Sequence, residues 1–172
     1  GGQELDTLSY IIAVEELARV DGSTAATIAA GNSLGISPIK EYGTEEQKEK
    51  YLPRLCKSHL WGFGLTEENA GCDSRGTQST ARLEGDKWIV NGSKIFITNS
   101  ATPMTLGSTI QVITGENNGK PEFTTFIIEN DTEGFCQEPM HRKMMWRASN
   151  TGKLTFNNVE LPKENMLGKP VH

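Results

Sequence analysis

The sequence has few cysteines and few aromatic residues, and it contains no long apolar run. Its three cysteines, Cys56, Cys72 and Cys136, are odd in number and lie far apart. Such spacing predicts neither a disulfide framework nor a cysteine metal site, and it favours a reducing compartment. No apolar run approaches the ~20 residues of a membrane-spanning helix, and no leader-like pattern opens the sequence. We therefore expect no membrane protein and no targeting segment.

A basic stripe or long run of Lys and Arg is also missing. The 172 residues contain 17 Lys and Arg against 22 Asp and Glu, which gives a net charge of −5. Because no basic stripe is present, nucleic acid is not an expected partner. A chain of this length can bury one good core. It opens on Gly1-Gly2 without a methionine and enters a helical pattern almost at once, so we expect an internal piece of a longer protein.

Three helices are predicted in the first third of the chain. The second is expected to be capped by Ser23 and to end at Gly35, and Pro38 is expected to break the chain after it. Thr44 and Gln47 have the spacing of a capping box, which starts the third helix. The first of the three helices is expected to begin near residue 6 or 7. The predicted spans are 7–20, 24–34 and 45–55.

After His59 the apolar period changes from about 3.6 to 2, which indicates strands. Turn signals such as Asn91-Gly92 separate several of them. We predict a helical segment, residues 1–59, followed by an antiparallel β-barrel or β-sandwich domain, residues 60–172. The predicted strands are 61–65, 77–83, 87–90, 94–98, 110–114, 123–129, 135–138 and 152–159.

Two stretches are candidates for chemistry. In Trp61 to Asp73, a short apolar strand ends in a polar turn that contains glycine, an arrangement that can present N–H groups and a hydroxyl to an anionic or strongly hydrogen-bonding ligand. An ordinary strand-to-loop junction is the alternative. In Lys94 to Asn99, Phe96 and Thr98 are two residues apart, so on a strand they share one face. A core strand is the alternative there.

These stretches resemble the flavin-binding motifs of the acyl-CoA dehydrogenase family. GLTEENAGCD (64–73) is similar to its first motif and KIFITNS (94–100) to its second. YGTEEQKEKYLPRL (42–55) resembles its preceding helix, and MHRKMMWRASNTGKLTFNNVELPKENMLG (140–168) resembles the end of its middle domain. The four segments are in register over nearly the whole chain. The resemblance, to short-chain, butyryl-CoA-dehydrogenase-like members, implies the end of the N-terminal helical domain and the middle β domain.

The resemblance implies FAD as cofactor. Backbone at Phe63, Gly64, Leu65 and Thr66 would meet the pyrimidine edge of the flavin, Phe96 would lie against its ring, and Thr98 would bond near N5. The implied cofactor-binding residues are Phe63, Leu65, Thr66, Gly71, Cys72, Phe96, Ile97 and Thr98, and Cys72 is also the implied substrate-binding residue.

Three positions depart from the family pattern. Phe96 replaces the usual Trp, which keeps a stacking face but loses an indole N–H. Cys72 replaces a Ser, and since a thiol is a weak donor, its contact with the flavin diphosphate is weakened. Glu68 replaces a Pro.

Other polar and apolar groups have simpler interpretations. Cys72 could be a nucleophile, but no histidine lies near it in the sequence. Asp73 and Arg75 are expected to fix the turn by hydrogen bonds. The basic residues 141–143 could meet phosphate, although a solvated turn is favoured, and residues 144–146 are expected in the core.

The implied reaction is α,β-dehydrogenation of an acyl-CoA thioester, in which a glutamate base removes the α proton and hydride passes to flavin N5. The family's base lies in a C-terminal domain and matches no residue here, so no catalytic residue is nominated and this chain alone is expected to be inactive. The resemblance also implies an electron-transfer flavoprotein as electron acceptor and a homotetramer as assembly. It implies the bacterial cytoplasm or the mitochondrial matrix as location. The alternatives are a flavin-dependent oxidase or monooxygenase on this scaffold, and a non-catalytic binding module.

Overall fold

A computed structural model describes residues 3–171. The helical part of the chain precedes the strands, as the sequence predicts. This range contains four α-helices: α1 (Thr7–Val20), α2 (Gly22–Ala30), α3 (Ser37–Tyr42) and α4 (Glu45–Leu55), with a π-helical segment, Gly31–Ile36, between α2 and α3.

The cap of α2 differs from the predicted one. Asp21, not Ser23, is the N-cap: its carboxylate accepts from the backbone N–H of Ser23 at 3.1 Å and of Thr24 at 2.9 Å. Ser23 is instead buried inside the first turn, where its hydroxyl oxygen accepts from the N–H of Ala148 at 3.3 Å. Asp and Ser both cap helices well. Asp21 is the cap here because it lies directly before the first helical residue, whereas Ser23 lies inside the helix.

The predicted helix end at Gly35 and the predicted break at Pro38 are both wrong. The chain continues from α2 through the π-helical segment directly into α3. Pro38 lies in the first turn of α3, and the helical path continues through it without a break. A π-helical insertion has no simple sequence signature, which explains why it was not predicted.

The capping box at the start of α4 is confirmed. The N–H of Gln47 donates to Thr44 Oγ1 at 3.2 Å, and the N–H of Thr44 donates to Gln47 Oε1 at 3.0 Å. The side-chain amide of Gln47 also donates to the carbonyls of Glu164 at 2.8 Å and Met166 at 3.1 Å. This one residue therefore both starts α4 and fastens it to the β domain.

Within the described residues, eight strands form one mostly antiparallel sheet: β1 (Leu60–Gly64), β2 (Thr80–Glu84), β3 (Lys87–Thr98), β4 (Thr105–Asn117), β5 (Lys120–Glu129), β6 (Phe135–Pro139), β7 (Thr151–Pro162) and β8 (Met166–Val171). Their order is β6-β7-β3-β2-β4-β5-β8, with β1 pairing parallel to β4. The predicted helical segment followed by an antiparallel β domain is confirmed, but the sheet does not close into a barrel.

The turn predicted at Asn91-Gly92 is wrong, because both residues lie within β3. Gly92 has φ +136 and stands at a register shift between β3 and β7. A β-carbon there would overlap Ser79, with its Cβ at 2.6 Å. This glycine therefore permits a β-bulge and a close approach of two strands, not a hairpin. Strand β8 was missed, since glycine and proline interrupt its pattern.

Two buried clusters stabilise this arrangement. One fills the inside of the curved sheet, where the rings of Trp88 on β3 and Phe126 on β5 are 5.3 Å apart although two strands lie between them. The other joins the helices to the sheet, so the two parts share a core at β1. Its members are Ile39, Tyr51, Leu55, Trp61, Ile127 and Leu167. Within residues 3–171, no helix has both the length and the hydropathy needed to cross a bilayer.

Candidate functional site

A cleft of about 200 Å³ opens where β1 ends and β3 ends, against α2 and the π-helical segment. It brings together six of the eight residues that the motifs implied for cofactor binding. The cleft is lined by Ala30, Leu34, Trp61, Phe63, Leu65, Thr66, Phe96, Ile97 and Thr98.

Phe96 has an unusual backbone conformation. Its φ is +62, and it lies at a register shift between Lys94 and Ile97 in the pairing of β3 with β7. A bulky residue with positive φ is strained, and such strain clusters at functional sites. The shift leaves the Phe96 side chain 60% exposed. Because of this register shift, Phe96, Ile97 and Thr98 all line the cleft. A strand with regular alternation would place only Phe96 and Thr98 on that face.

Two hydroxyl groups at the cleft are free to bind a ligand. Thr66 and Thr98 are half-buried, and their side chains have no hydrogen-bond partner among residues 3–171. The backbone carbonyl of Thr66 is already used, since it accepts from the N–H of Ile95 at 2.8 Å. Unpaired polar groups in a partly apolar cleft are what a hydrogen-bonding ligand would satisfy.

Three apolar residues of the cleft wall, Ala30, Leu34 and Trp61, were not among the implied cofactor-binding residues. Trp61 is 1% exposed, and its indole N–H donates to Thr109 Oγ1 at 2.8 Å. Ala30 and Leu34 lie on α2 and on the π-helical segment. Trp61 opens the stretch singled out from the sequence, but no local pattern connects Ala30 or Leu34 with a site more than 25 residues later.

Gly71 and Cys72 lie outside the cleft, in the loop that follows Thr66. Both are exposed, and a β-carbon on Gly71 would meet no atom within 4 Å. Asp73 fixes this loop as predicted, because its carboxylate accepts from the N–H of Arg75 at 3.2 Å. Glu68, at the usual proline position, pairs with Lys153 at 2.9 Å on the surface. The diphosphate and substrate roles of Gly71 and Cys72 stay predictions.

A buried ion pair lies next to the cleft. Lys94 is 0% exposed, and its ammonium donates to Glu67 Oε1 at 2.8 Å and to the carbonyl of Leu65 at 3.2 Å. The Glu67 carboxylate also accepts from the N–H of Gln78 at 2.7 Å and of Ser79 at 3.1 Å. Neither residue was assigned a role from the sequence. A lysine at an otherwise apolar strand position was the available signal.

The environment shifts both pKa values. Burial raises the pKa of the Glu67 carboxyl, but the Lys94 ammonium and the N–H donors outweigh this, so the pKa lies below its ordinary value. Burial lowers the pKa of the Lys94 ammonium, and Glu67 only partly opposes that shift. The geometry supports a charged pair at neutral pH, since each charge is hydrogen-bonded to the other.

Glu67 is expected to make folding stability depend on pH. A carboxyl whose folded pKa is lowered stabilises the protein above its ordinary value near 4.5 and loses that effect as the pH falls through the folded pKa. At pH 7, Glu67→Gln leaves the Lys94 charge unpaired and is expected to cost about 3–5 kcal/mol. Urea unfolding between about pH 7 and pH 3 should show this difference shrinking. The exposed Glu133→Gln is the control, and a difference that is constant across pH would contradict the expectation.

A second, basic cleft of about 440 Å³ lies in the loop before β7 and is lined by residues 140–143 and Arg147. Two of its cations already hold the loop together. The Lys143 ammonium donates to the Ser149 carbonyl and, at 2.9 Å, to Thr151 Oγ1, while Arg147 Nε donates to the Lys143 carbonyl at 3.1 Å. The favoured interpretation as a turn therefore has structural support.

The expected burial of residues 144–146 is wrong. Met144, Met145 and Trp146 are 90%, 62% and 53% exposed. They lie in an irregular loop between β6 and β7 rather than on a strand, and Trp146 has φ +50. Apolar side chains reach a core only when the backbone that bears them faces it, and composition alone does not reveal that.

Two family models match the chain. Residues 1–59 match "Acyl-CoA dehydrogenase, N-terminal domain" and residues 62–159 match "Acyl-CoA dehydrogenase, middle domain". The match agrees with the resemblance identified from the four sequence segments.

Individual relatives are similar over nearly all of this chain. The short-chain-specific acyl-CoA dehydrogenase of Clostridium acetobutylicum is 48% identical over 98% of this chain and 44% of that protein. The structure of butyryl-CoA dehydrogenase from Megasphaera elsdenii is 43% identical, with TM-score 0.89, over 97% of this chain and 44% of that chain. Acyl-CoA dehydrogenase complexed with FAD from Bacillus anthracis is 36% identical, with TM-score 0.88, over 99% of this chain and 29% of that chain. This chain thus spans less than half the length of these relatives.

Proposed function

The chain belongs to the acyl-CoA dehydrogenase family, and we propose that the protein of which it forms part dehydrogenates short acyl-CoA thioesters between the α and β carbons with bound FAD. One observation supports this most directly. Two unpartnered hydroxyls, Thr66 and Thr98, and the exposed ring of Phe96 surround a cleft with an apolar wall. A flavin ring requires this combination of a flat apolar cover and hydrogen-bond donors at its polar edge.

The residues at the cleft fit a flavin, but only in part. Thr66 and Thr98 can donate from two elements, while Trp61, Leu65 and Phe63 offer apolar contact. A volume of about 200 Å³ is below the ~300–1,000 Å³ typical of sites for ligands of this size. We therefore expect this chain to hold one portion of FAD, with the remainder held by other parts of the protein or by a second copy.

FAD, when bound, supplies the two-electron acceptor, and this chain's residues prepare its surroundings. The hydroxyls of Thr66 and Thr98 would orient the cofactor by hydrogen bonds. Phe96 would cover it and exclude water. The base that removes the α proton is assigned to no residue of this chain.

The substrate, the acceptor and the assembly are proposals that rest on the family. The names of the Clostridium and Megasphaera relatives support a short-chain thioester. An electron-transfer flavoprotein is proposed as the electron acceptor and a homotetramer as the assembly. The bacterial cytoplasm or the mitochondrial matrix is proposed as the location.

The visible absorption spectrum of the whole protein tests the proposal. An oxidised flavin band that bleaches anaerobically with butyryl-CoA, and less with longer esters, would support it. A bleached flavin that air reoxidises rapidly during turnover would instead favour an oxidase. An oxidised flavin that no thioester bleaches would contradict dehydrogenation, and absence of a flavin band even after FAD is added would leave a binding module.

Thr98→Val is expected to weaken FAD binding. The change keeps the shape of the side chain and removes the hydroxyl, so one hydrogen bond to the flavin is lost, which corresponds to about fivefold to tenfold in Kd. The Kd for FAD is measured by flavin fluorescence while the apoprotein is titrated. Thr80→Val is the matched control, because Thr80 is an exposed threonine on β2, outside the cleft. Equal Kd values for both variants would rule out the proposed contact.

A further inference from the structure

The two strands that supply the cleft are not paired with each other. β1 pairs with β4, whereas β3 pairs with β2 and β7. Thr66 follows β1 and Thr98 ends β3, so no direct strand pairing fixes the distance between the two hydroxyls. In the part of the chain that the structure describes, one backbone hydrogen bond joins the residues after β1 to β3, from the N–H of Ile95 to the Thr66 carbonyl at 2.8 Å.

The Lys94 side chain is a second connection between the two halves. It extends from β3 beneath the end of β1, where its Cγ lies 3.2 Å from the position of a β-carbon on Gly64. Its ammonium then donates to the Leu65 carbonyl at 3.2 Å and to Glu67 at 2.8 Å. Leu65 and Glu67 are the neighbours of Thr66 on either side, so Lys94 fixes both flanks of that residue.

Glu67 also hydrogen-bonds to the loop that follows it. Its carboxylate accepts from the N–H groups of Gln78 and Ser79, and its own N–H donates to the Ala70 carbonyl at 2.9 Å. The pair thereby connects three segments: the end of β1, the loop up to β2, and β3. Among residues 3–171, the Lys94 ammonium donates only to the two residues that flank Thr66.

Stability alone does not explain a charged pair at this place. Desolvation offsets most of the attraction between buried charges, and apolar replacements of similar volume are often neutral or stabilising. Directional hydrogen bonds from a buried cation do, however, define geometry more sharply than apolar contacts.

We propose that Lys94 and Glu67 are positioning residues that hold Thr66 and Thr98 at the separation a flavin requires, and thereby determine the affinity for FAD. This inference rests on the proposed function. Neither residue lines the cleft, so both act through Thr66 and its neighbours and are not catalytic residues.

The test compares three variants of the whole protein: Lys94→Met, the double variant Lys94→Met with Glu67→Gln, and Lys87→Met as control. Lys87 lies on the same strand, and its ammonium pairs with Glu160 at 2.6 Å on the surface. Each variant is measured for unfolding in urea, for FAD Kd by fluorescence titration, and for the visible spectrum of bound flavin.

The single variant leaves Glu67 charged, buried and without its cation, so it is expected to lose stability. The double variant removes both charges and is expected to regain much of it, which keeps the test valid if the single variant does not fold. Both lack the bond to the Leu65 carbonyl. We therefore expect FAD Kd to rise about tenfold or more in both, with an altered flavin spectrum, and to stay unchanged in Lys87→Met.

A purely structural role predicts a different result. FAD affinity would then recover together with stability in the double variant, and this outcome would overturn the proposal, as would wild-type affinity in Lys94→Met. Failure of the proposed function is separately visible, because the unaltered protein would then bind no FAD.

Discussion

Replacing Trp61 with alanine is expected to lower the free energy of unfolding by about 3–5 kcal/mol, the range for truncating a buried tryptophan or phenylalanine. Trp61 is 1% exposed and belongs to the cluster that joins the helices to the sheet. Its ring lies 5.2 Å from that of Tyr51, on α4. Removal would leave a cavity at the junction of the two parts and would strip Thr109 of its indole donor. Chemical denaturation of the wild type and the variant measures the loss.

Trp61→Phe separates packing from hydrogen bonding at this site. The phenyl ring keeps much of the apolar contact but cannot donate to Thr109, whose side chain is 0% exposed. An unsatisfied buried hydroxyl costs about 1–3 kcal/mol, so this variant is expected to lie between wild type and Trp61→Ala. If both variants were equally destabilised, the hydrogen bond and not the packing would dominate.

Gly107→Ala adds a single methyl group and is also expected to lower the free energy of unfolding strongly, by nearly as much as Trp61→Ala. A β-carbon on Gly107 would overlap the backbone carbonyl of Ile128 on β5 and would approach Trp61 Cη2 to 2.9 Å. A backbone carbonyl within a sheet ladder cannot move aside as a flexible side chain can, so we expect a loss at or above the ~1–3 kcal/mol typical of overpacking. Thermal and denaturant unfolding would both report it.

Gly115→Ala is the matched control, since Gly115 lies on the same strand. A β-carbon there would meet only Glu122 Oε1, at 3.7 Å. We expect stability to stay unchanged or to rise by about 0.4–1 kcal/mol, because alanine restricts the unfolded chain more than glycine does. A similar loss at both positions would mean that general strand geometry, and not the contact with Ile128, makes Gly107 necessary.

The double variant Trp61→Ala with Gly107→Ala would locate the strain more closely. Removing the indole relieves one of the two close approaches at Gly107 but leaves the Ile128 carbonyl in place. Residues in contact are expected to show non-additive effects, so the double variant should lose less than the sum of the two single losses. Strict additivity would indicate that the carbonyl alone accounts for the effect.

Much of the fold was predictable because it depends on neighbours in the sequence. The capping of α4 by Thr44 and Gln47, the capping of α1 by Asp6, and the alternation of most strands involve groups within a few residues of each other. The two motifs also located six residues that the structure places around one cleft. The errors arose where local preference allowed two outcomes, as at Asn91-Gly92, a turn signal that the sheet uses as a bulge.

The sequence by itself determined most of the helices and strands and the short segments that carry the motif chemistry, since those properties follow from local hydrogen bonding and periodicity. Only the tertiary structure decided the site. It gave Phe96 a positive φ, brought Leu34 to the cleft, and joined Lys94 to Glu67 across 27 positions of sequence. Such contacts depend on how strands that are not paired with each other pack against a π-helical segment. Long-range packing of this kind produces no periodic pattern in the sequence, so the sequence alone does not predict it.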